Sequence, residues 1–577
     1  MQWDNHSAQK RMNGQLDAVT NLYRNLKNEA EARIIIQPSP IFIEGEKWNI
    51  EAADMTYSPK RLSVNHFKIN NGEQQINVNG IASDKANDIL TVNLNKVDVE
   101  YIQNLVNFHA VDFTGNASGT AYVESAFSNP QMHADLTVEQ FTFQQGRMGT
   151  LSAAVDWNRH LKQIDIHAIA DDGPDAKTLI DGYVSPDRST IDLNIEGKGT
   201  HIDFLHSFTK SFLDNVGGHA YGNVRLHGPL STMQLTGMLV VDGQATVIPL
   251  GTTYTLRHDT VRFVTDDILL QNVPIYDKYD NVGIMNGGIH HQHITNLTFD
   301  LGVQTDLLLG YDIKDTGNET FHGTVFTAGD VTIQGRPGRV TIDCNVTPLN
   351  GSVFTYNVAS PDAISNQEFI TWRNKNDQTA PNTKESAGLL SSSTDIYLNL
   401  NIYAEPDATL RLLMDATTRD YITLNGTGAL RATYYNKGAF QMFGTYTVDH
   451  GTYGITIQNL IKKNFTFNPG GTIVFGGDPY DAAIQLQAVY PVQGVSLTDL
   501  NIGNSFSQNT IRVNCLMNIS GQPNQPRVDF DLDMPTVNAD EQQMVRSVIN
   551  GDQEMNQQVL YLLSIGRFYQ QGQNNEQ

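Results

Sequence analysis

The sequence predicts a mostly β protein: an elongated, repetitive, antiparallel-type sheet with short interrupting helices and helical ends. Three observations predict this class. From about residue 41 onward, apolar and polar residues alternate, which is typical of strands with one apolar and one polar face. The chain contains 47 glycines and many Asn and Thr residues, which favour turns and strands. A third observation is a motif that recurs about every hundred residues.

The alternation is clearest in six segments, and it indicates antiparallel strands that are wet on one side, because doubly buried parallel strands would be continuously apolar. The segments are 191–195, 297–303, 340–346, 396–402, 484–488 and 528–534.

Helices are predicted at the start of the chain and at two internal places. Leu16, Val19, Leu22, Tyr23 and Leu26 recur at helical spacing and predict an amphipathic helix within residues 1–36. Two related units each place an Asp before an apolar helical run, where its carboxylate can cap the helix. These units begin at 97 and at 202.

A matching strand start follows each of these internal helices. One reads GNASGTAYV from Gly115 and the other reads GHAYGNVRL from Gly218, and weaker echoes begin at Gly323 and Gly426. The spacing of about 100 residues predicts repeating units stacked in an elongated array.

The C-terminus is predicted to be helical again. Asn538 and Glu541 form a capping-box pattern, and amphipathic helices are expected over 538–566, before and after Gly551. A polar stretch at 374–394 is expected to be a flexible loop.

Composition excludes several classes of function. The net charge is −24, which disfavours binding to nucleic acid or electrostatic docking on an anionic membrane surface. Cys344 and Cys515 each lie in phase with apolar residues and are expected to be small buried side chains. No secretory leader and no apolar run long enough to span a bilayer is visible, so any membrane anchor is expected upstream of this chain.

No catalytic residue and no cofactor is predicted. The cluster His290, His291 and His293 lacks a supporting ligand pattern and is interpreted as a solvent-facing turn, and Asp529, Asp531 and Asp533 share a polar face without a calcium-loop geometry. No phosphate loop, dinucleotide fingerprint or nucleophile elbow is present in the sequence. The chain is therefore predicted not to be an enzyme, and no metal site is predicted.

The most distinctive segment is 444–490. It contains GTYTVDHGTYGI from Gly444, FTFNPGGTIVFGGDPY from Phe465 and IQLQAVY from Ile484, a run of hairpins with Pro-Gly-Gly and Gly-Asp-Pro turns. This segment and the closing helices after Met534 resemble the C-terminal domain of the TamB family, the inner-membrane-anchored subunits of the translocation and assembly module. The units at 97–130 and 202–229 resemble the AsmA-like repeats of the same superfamily.

The resemblance implies a β-taco-like fold, in which a long sheet curls along its length into an open, apolar-lined trough. It also implies a periplasmic protein of a Gram-negative bacterium, anchored to the inner membrane by a segment absent from this chain. The implied partners are phospholipid or another lipid and an outer-membrane β-barrel assembly protein, TamA- or BamA-like. The chain itself is expected to be a monomer.

The resemblance divides the chain into three parts: an N-terminal lead-in (1–36), AsmA-like β repeats (37–217) and a TamB C-terminal-like domain (218–577). Apolar residues of the alternating strands are the candidates for lining the trough. They are Leu297, Phe299, Leu301, Val303, Val340, Ile342, Val346, Ile396, Leu398, Leu400, Ile402, Ile484, Leu486, Val528, Phe530 and Leu532. The C-terminal helices are expected either to cap the open end of the sheet or to dock on a membrane partner. The candidates for docking are Met544, Val548, Val559, Leu562 and Leu563.

The leading functional hypothesis is an envelope scaffold that carries phospholipid to the outer membrane, assists outer-membrane protein assembly and secretion, or does both. One alternative is a non-conducting tether for a β-barrel partner, with the trough filled by side chains. A third is a polysaccharide-active or adhesive β-solenoid, which would need exposed aromatic ladders. The aromatic residues here instead mix with aliphatic ones at alternating positions.

Overall fold

A computed structural model describes residues 2–4, 12–25, 28–43, 45–106, 112–210, 212–292, 295–317, 319, 321–357, 395–415, 420–457, 461–500, 502, 510–523 and 525–570. Within these ranges 34 strands join into one hydrogen-bonded sheet, and helices are few and short. The mostly β, antiparallel-type fold predicted from the alternation is confirmed. The predicted loop at 374–394 lies outside the described residues.

The strands follow one another closely along the chain. The first twelve are β1 (Gln2–Asp4), β2 (Met12–Gln15), β3 (Ala18–Arg24), β4 (Ala30–Ile36), β5 (Ser39–Ile43), β6 (Glu46–Ile50), β7 (Ala53–Ser58), β8 (Arg61–Asn71), β9 (Gln74–Ser83), β10 (Ile89–Asp98), β11 (Phe113–Glu124) and β12 (Gln131–Phe143). The next eleven are β13 (Gly146–Asn158), β14 (Gln163–Asp171), β15 (Lys177–Ser185), β16 (Thr190–His201), β17 (Leu213–Pro229), β18 (Gln234–Val247), β19 (Thr252–Val264), β20 (Asp267–Tyr276), β21 (Val282–Gln292), β22 (Thr295–Ile313) and β23 (Phe321–Arg336). The last eleven are β24 (Arg339–Pro348), β25 (Val353–Asn357), β26 (Asp395–Ala404), β27 (Thr409–Asp415), β28 (Asp420–Tyr435), β29 (Gln441–Ile457), β30 (Ile461–Phe467), β31 (Thr472–Gly477), β32 (Ala483–Ser496), β33 (Thr510–Gln522) and β34 (Gln525–Asp533).

The helical elements lie beside the sheet. The α-helices are α1 (Val99–Val106), α2 (His206–Thr209), α3 (Ala539–Ser547) and α4 (Gly551–Ile565), and the 3-10 turns span Asp203–Leu205, Ile248–Leu250, Pro479–Asp481 and Leu497–Leu500. Both internal helical units and both C-terminal helices were predicted, and the capping box between Asn538 and Glu541 is present. The Asp98 carboxylate accepts a hydrogen bond from the Glu100 N–H, as predicted, whereas no side-chain cap begins the unit at Asp203.

The N-terminal helix prediction is wrong. Residues 18–24 form strand β3, which pairs with β4 from Ala18–Ile36 to Arg24–Ala30. Val19, Leu22 and Tyr23 are exposed, Leu22 by 82%, while Leu16 packs against a buried cluster, so these residues do not share one face toward a core. The spacing resembled a helix because β2 and β3 act as two halves of one broken strand. The break at Leu16 and Asp17 shifts the alternation by one position. Leu26 lies outside the described residues.

From β8 to β23 the sheet is an antiparallel meander, in which each strand pairs with the next. Near both ends of the chain, two short strands lie end to end and act as one broken strand; β6 and β7, for example, both pair with β8. Strand pairing in the described ranges is antiparallel except at one place, where β24 pairs in parallel with β26, and β25 pairs in parallel with β27.

A line of β-bulges bends the sheet along its length. At four of these bulges a non-glycine residue adopts a left-handed conformation, and its N–H donates to a side chain on the neighbouring strand. The donor and acceptor pairs are His66 and Asn79, Lys96 and Ser118, His258 and Asp242, and Asn272 and Asn286. Because a bulge increases twist and bends its strand, the series folds the sheet toward its apolar side.

Small apolar clusters fill the inside of this bend. In one of them Val138 and Phe141, which flank a bulge in β12, pack with Ala117 and Met148. Helix α1 covers two clusters: Val99 packs on this one, and Tyr101 packs edge-on against buried Trp48 at a ring distance of 5.4 Å.

The predicted repeat has a structural counterpart. Gly115, Gly218 and Gly323 have φ values of 135°, 134° and 137°, and a Cβ at each would lie within 3 Å of a carbonyl oxygen of the neighbouring strand. These three positions therefore share a backbone conformation that L side chains rarely adopt. Gly426 does not adopt it, and other strand glycines such as Gly119 and Gly222 do, so the match is limited to three of the four predicted positions.

Candidate apolar trough

One face of the sheet carries a continuous row of apolar side chains, called here the apolar face. Residues paired directly across strands project to the same side. The row runs through Val92, Ala121, Ala134, Val155 and Ile166 on five successive strands. It continues by the same rule to the last strands, where Leu486 pairs with Ile519, and Ile519 pairs with Val528 on β34.

The apolar face carries no charge on any position paired along this row from β10 to β18. These positions are Leu90, Val92 and Leu94; Ala121 and Val123; Met132, Ala134 and Leu136; Ala153, Val155 and Trp157; Ile164, Ile166 and Ala168; Ile180, Gly182 and Val184; Ile191, Leu193 and Ile195; Val224 and Leu226; and Leu235, Gly237 and Leu239.

Most of these side chains are half-buried. An open pocket of about 340 Å³ lies on this face, near the turn that precedes β10 and the turns that follow β11 and β13. Its lining residues are Leu90, Val92, Ala121, Tyr122, Val123, Met132, His133, Ala134, Val155, Trp157 and Ile164. The sequence reasoning did not choose these residues, although the alternation at 90–94 and 164–168 carries the same signal as the segments that were chosen. We call residues 74–313, from β9 to β22, the trough region.

The opposite face of the trough region is polar. The Arg225 guanidinium donates to both carboxylate oxygens of Asp192, at 2.7 and 2.6 Å. His290 contacts Asp267 and Asp300, each at 2.6 Å, and these side-chain hydrogen bonds raise the pKa of His290. His133 lies between Asp135 and Asp156, which likewise raise its pKa. Charge is thus sorted to one face and apolar surface to the other.

The sixteen predicted trough-lining residues share the apolar face but differ in burial. Leu297, Phe299, Leu301 and Val303 on β22 are half-buried, as are Ile342, Val346, Leu398, Leu400, Ile402 and Phe530. Val528 on the last strand is exposed, whereas five others are buried: Val340, Ile396, Ile484, Leu486 and Leu532.

The buried set lies in the C-terminal region, defined here as residues 321–570. Ile484, Leu486 and Leu532 belong to one large core, and Leu398, Leu400 and Phe530 pack against it. The prediction that Ile484, Leu486 and Leu532 line an open trough is therefore wrong, because side chains of the protein itself cover them. For the half-buried Leu398, Leu400 and Phe530 it stays a prediction.

Both cysteines are buried free thiols on the apolar face, as predicted. Burial raises the pKa of Cys344 and of Cys515 to about 12, so neither thiol forms a nucleophilic thiolate near neutral pH.

The histidine cluster is not a solvent-facing turn. His290 and His291 lie at the end of β21 and His291 is buried, while His293 lies outside the described residues. Within the part of the chain that the structure describes, no group of three His, Cys, Asp or Glu side chains is arranged to hold a metal ion. Nor does any helix in those ranges have the length and apolarity needed to cross a membrane.

A family model, the TamB C-terminal domain, matches residues 271–577, which is more than half of the chain. The chain belongs to the TamB family. TamB proteins are envelope-associated scaffolds of a structural and transport type, and they work with an outer-membrane partner. The family resemblance predicted from 444–490 is confirmed. No curated protein matches the chain, and no solved structure does.

The TamB match begins at residue 271, inside β20, rather than at the predicted boundary of 218. The division into a lead-in, AsmA-like repeats over 37–217 and a C-terminal domain from 218 stays a prediction.

The closing helices of this TamB chain pack against the sheet. Val559, Leu562 and Leu563 on α4 are buried in the C-terminal core, which corrects their prediction as partner-docking residues. Met544 on α3 and Val548, the residue that caps the C-terminus of α3, are half-buried. The Arg546 guanidinium donates to the carbonyl of Leu532 at 2.6 Å, so α3 also covers part of the last strand. The helices thus cap the end of the sheet.

Proposed function

We propose that the trough region binds acyl chains of phospholipid and carries them along the sheet to the outer membrane. In this proposal the protein lies in the periplasm of a Gram-negative bacterium and is anchored to the inner membrane. The observation that carries the proposal is the uncharged, half-buried apolar face from β10 to β18.

Energetics favour passage rather than storage on such a surface. Each CH₂ transferred from water to an apolar surface gains about 0.8 kcal/mol. A tail that arrives from a bilayer was already in apolar surroundings, so its net gain is close to zero. The trough would therefore shield tails from water without trapping them.

Backbone hydrogen bonding favours lipid tails over unfolded polypeptide as the cargo. Each strand from β10 to β18 pairs with a neighbour on both edges. An extended polypeptide lying on this face would find no backbone partner, and each buried unpaired amide costs about 1–3 kcal/mol. A hydrocarbon tail carries no such cost.

The C-terminal region supports a second role. Its apolar face is filled by its own side chains, with Phe465, Leu424 and Val513 fully buried, as the tether hypothesis requires. We propose that this region holds an outer-membrane β-barrel assembly protein, TamA- or BamA-like, and assists protein assembly and secretion rather than conducting lipid.

The test of the lipid proposal places a charge on either face of one strand. Val155→Asp puts a carboxylate on the apolar face of β13, and Ser152→Asp puts the same group on its exposed polar face. Native mass spectrometry measures the phospholipid that co-purifies with each protein, and circular dichroism checks the β signal.

We expect stoichiometric lipid on the parent and on Ser152→Asp, and its loss from Val155→Asp with the β signal unchanged. A folded parent that carries no lipid would overturn the conduit and leave the tether, and so would lipid retained by Val155→Asp.

A further inference from the structure

Two turns above the trough pocket form a fixed basic patch, called here the basic turns (residues 158–163 and 185–190). They connect β13 to β14 and β15 to β16. Arg188 donates to the Gln163 side chain at 2.5 Å and to the Ser185 hydroxyl at 3.1 Å. Ser185 in turn donates to the Lys162 carbonyl at 2.8 Å. Gln163 and Ser185 are buried, so the two turns are joined into one unit.

The charge of this unit opposes that of the protein. Within the two turns the ionic groups are Arg159, Lys162, Arg188 and Asp187, a net formal charge of +2 in a chain of −24. On the polar face the Asp165 carboxylate accepts hydrogen bonds from the side chains of Asn158 at 3.1 Å and Gln163 at 2.5 Å. Asp187 pairs with Lys162 at 3.1 Å. Arg159, Lys162 and Arg188 are all exposed, so their positive charge reaches solvent.

The apolar pocket begins beside the first of these turns, which carries Arg159 and Lys162, whereas the Arg188 guanidinium lies over the Tyr183 ring on the polar face. Trp157, two residues before Arg159, and Ile164, two residues after Lys162, both line the pocket. Leu161, at the tip of the first turn, is 53% exposed, and Met132 in the pocket wall is 45% exposed. The volume of about 340 Å³ lies at the lower end of the range for small-ligand pockets, about 300–1,000 Å³, which suits one chain segment.

We infer that the pocket and the basic turns form a binding site for a phospholipid with net negative charge. An acyl chain lies in the pocket, and the anionic head group lies at Arg159 and Lys162, while Arg188 joins the two turns. This inference rests on the proposed function, because it places the cargo lipid at one point of the trough. Charge complementarity selects the occupant: an uncharged tail fits the lining, and a net anionic head group is attracted to the turns.

The test uses Trp157 as a reporter at the site. Brominated acyl chains quench tryptophan fluorescence on contact, and we would titrate the full chain with brominated lysophosphatidylglycerol and with the matched brominated lysophosphatidylcholine. The same titration of Trp157→Phe identifies the signal from this residue, because Trp3, Trp48 and Trp372 remain. We expect both lipids to quench Trp157, with the anionic lipid binding about tenfold more tightly at low salt and the preference shrinking as salt is added.

The charge variant is Arg159→Gln with Lys162→Gln, which leaves the Arg188 hydrogen bonds in place. Its matched control is Lys60→Gln with Arg336→Gln, which removes two exposed charges near other turns on the same edge of the sheet. We expect the variant to lose about fivefold in affinity for the anionic lipid only, and the control to retain the parent preference.

Three further outcomes show whether the head-group site, the proposed lipid transport or both are wrong. Equal affinity of the parent for the two lipids would overturn the head-group site and leave the trough. Lipid that co-purifies without quenching Trp157 would overturn the site and place the cargo elsewhere. A protein that binds neither lipid would overturn both proposals.

Discussion

The trough region and the C-terminal region are built from the same alternating strands but use their apolar faces differently. Ile166 in β14 is half-buried, whereas Ile484 in β32 is 4% exposed, although both alternate with polar residues on paired strands. In the trough region the bend in the sheet buries only small clusters of apolar side chains. In the C-terminal region broken strands and helices α3 and α4 enclose one large core.

The difference shows that alternation determines which face a side chain occupies and not whether that face is covered. Coverage depends on what lies opposite, which comes from distant parts of the chain. One sheet can therefore present an open apolar surface in one part and a rigid closed domain in another, and this supports assigning lipid binding and partner holding to different regions.

The largest expected effect compares one substitution in the two regions. Leu424→Ala removes a fully buried side chain from the C-terminal core and should destabilise that region by about 3–5 kcal/mol. Leu193→Ala removes a half-buried side chain from the trough and should cost about 1 kcal/mol. Hydrogen exchange resolved by region gives both values, because a long array does not unfold as one unit. Equal costs would mean that the trough is as closed as the core.

Much of the fold follows from local sequence. Alternation at 191–195, 297–303 and 484–488 predicted strands that the structure contains, and the capping-box pattern at Asn538 predicted the start of α3. These features depend on residues only a few positions apart, which is why the sequence displays them.

The pairing and the coverage of the strands could not be predicted in the same way. Residue 339 pairs in parallel with residue 395, 56 positions away. Neither segment carries a sequence feature that identifies the strand with which it pairs. Bulges such as those at Lys96 and Asn272 add an unpaired residue and change the phase of the alternation. The trough pocket was missed because its residues are distinguished from core residues only by the absence of a covering layer.

The next prediction concerns how the trough keeps its shape. Gly182 lies on the apolar face with a φ of 148°, and a Cβ there would stand 2.0 Å from the Asp192 carbonyl oxygen. Gly182→Ala should therefore destabilise the trough region by at least about 1–3 kcal/mol and reduce its bound lipid. Gly302→Ala is the control, because a Cβ there would meet nothing closer than 4.0 Å. Similar hydrogen exchange in the two variants would remove any role for Gly182 in the curvature.

The smallest expected effect separates the regions by pH. Both ring nitrogens of His290 contact carboxylates, and these contacts hold its pKa above the ordinary value. A raised folded pKa means that the charged imidazole stabilises the fold fully below the unfolded value of about 6.5, and that this contribution is lost as pH rises through the folded pKa. The resulting stabilisation of the fold is small, because His290 is partly exposed and water screens its ion pairs.

The consequence is regional, since His290 connects β20, β21 and β22 of the trough region and touches nothing in the C-terminal core. As pH rises through the pKa of His290, protection of amides in these strands should fall slightly, after correction for the intrinsic exchange rate. Protection in β32 and β33 should not follow that titration, and His290→Gln should remove the response from the trough. Titrating the His290 ring by NMR fixes the pH at which this occurs. A ring pKa at or below 6.5 would show that Asp267 and Asp300 do not hold the charged form of His290, and that this ion pair does not stabilise β20, β21 and β22.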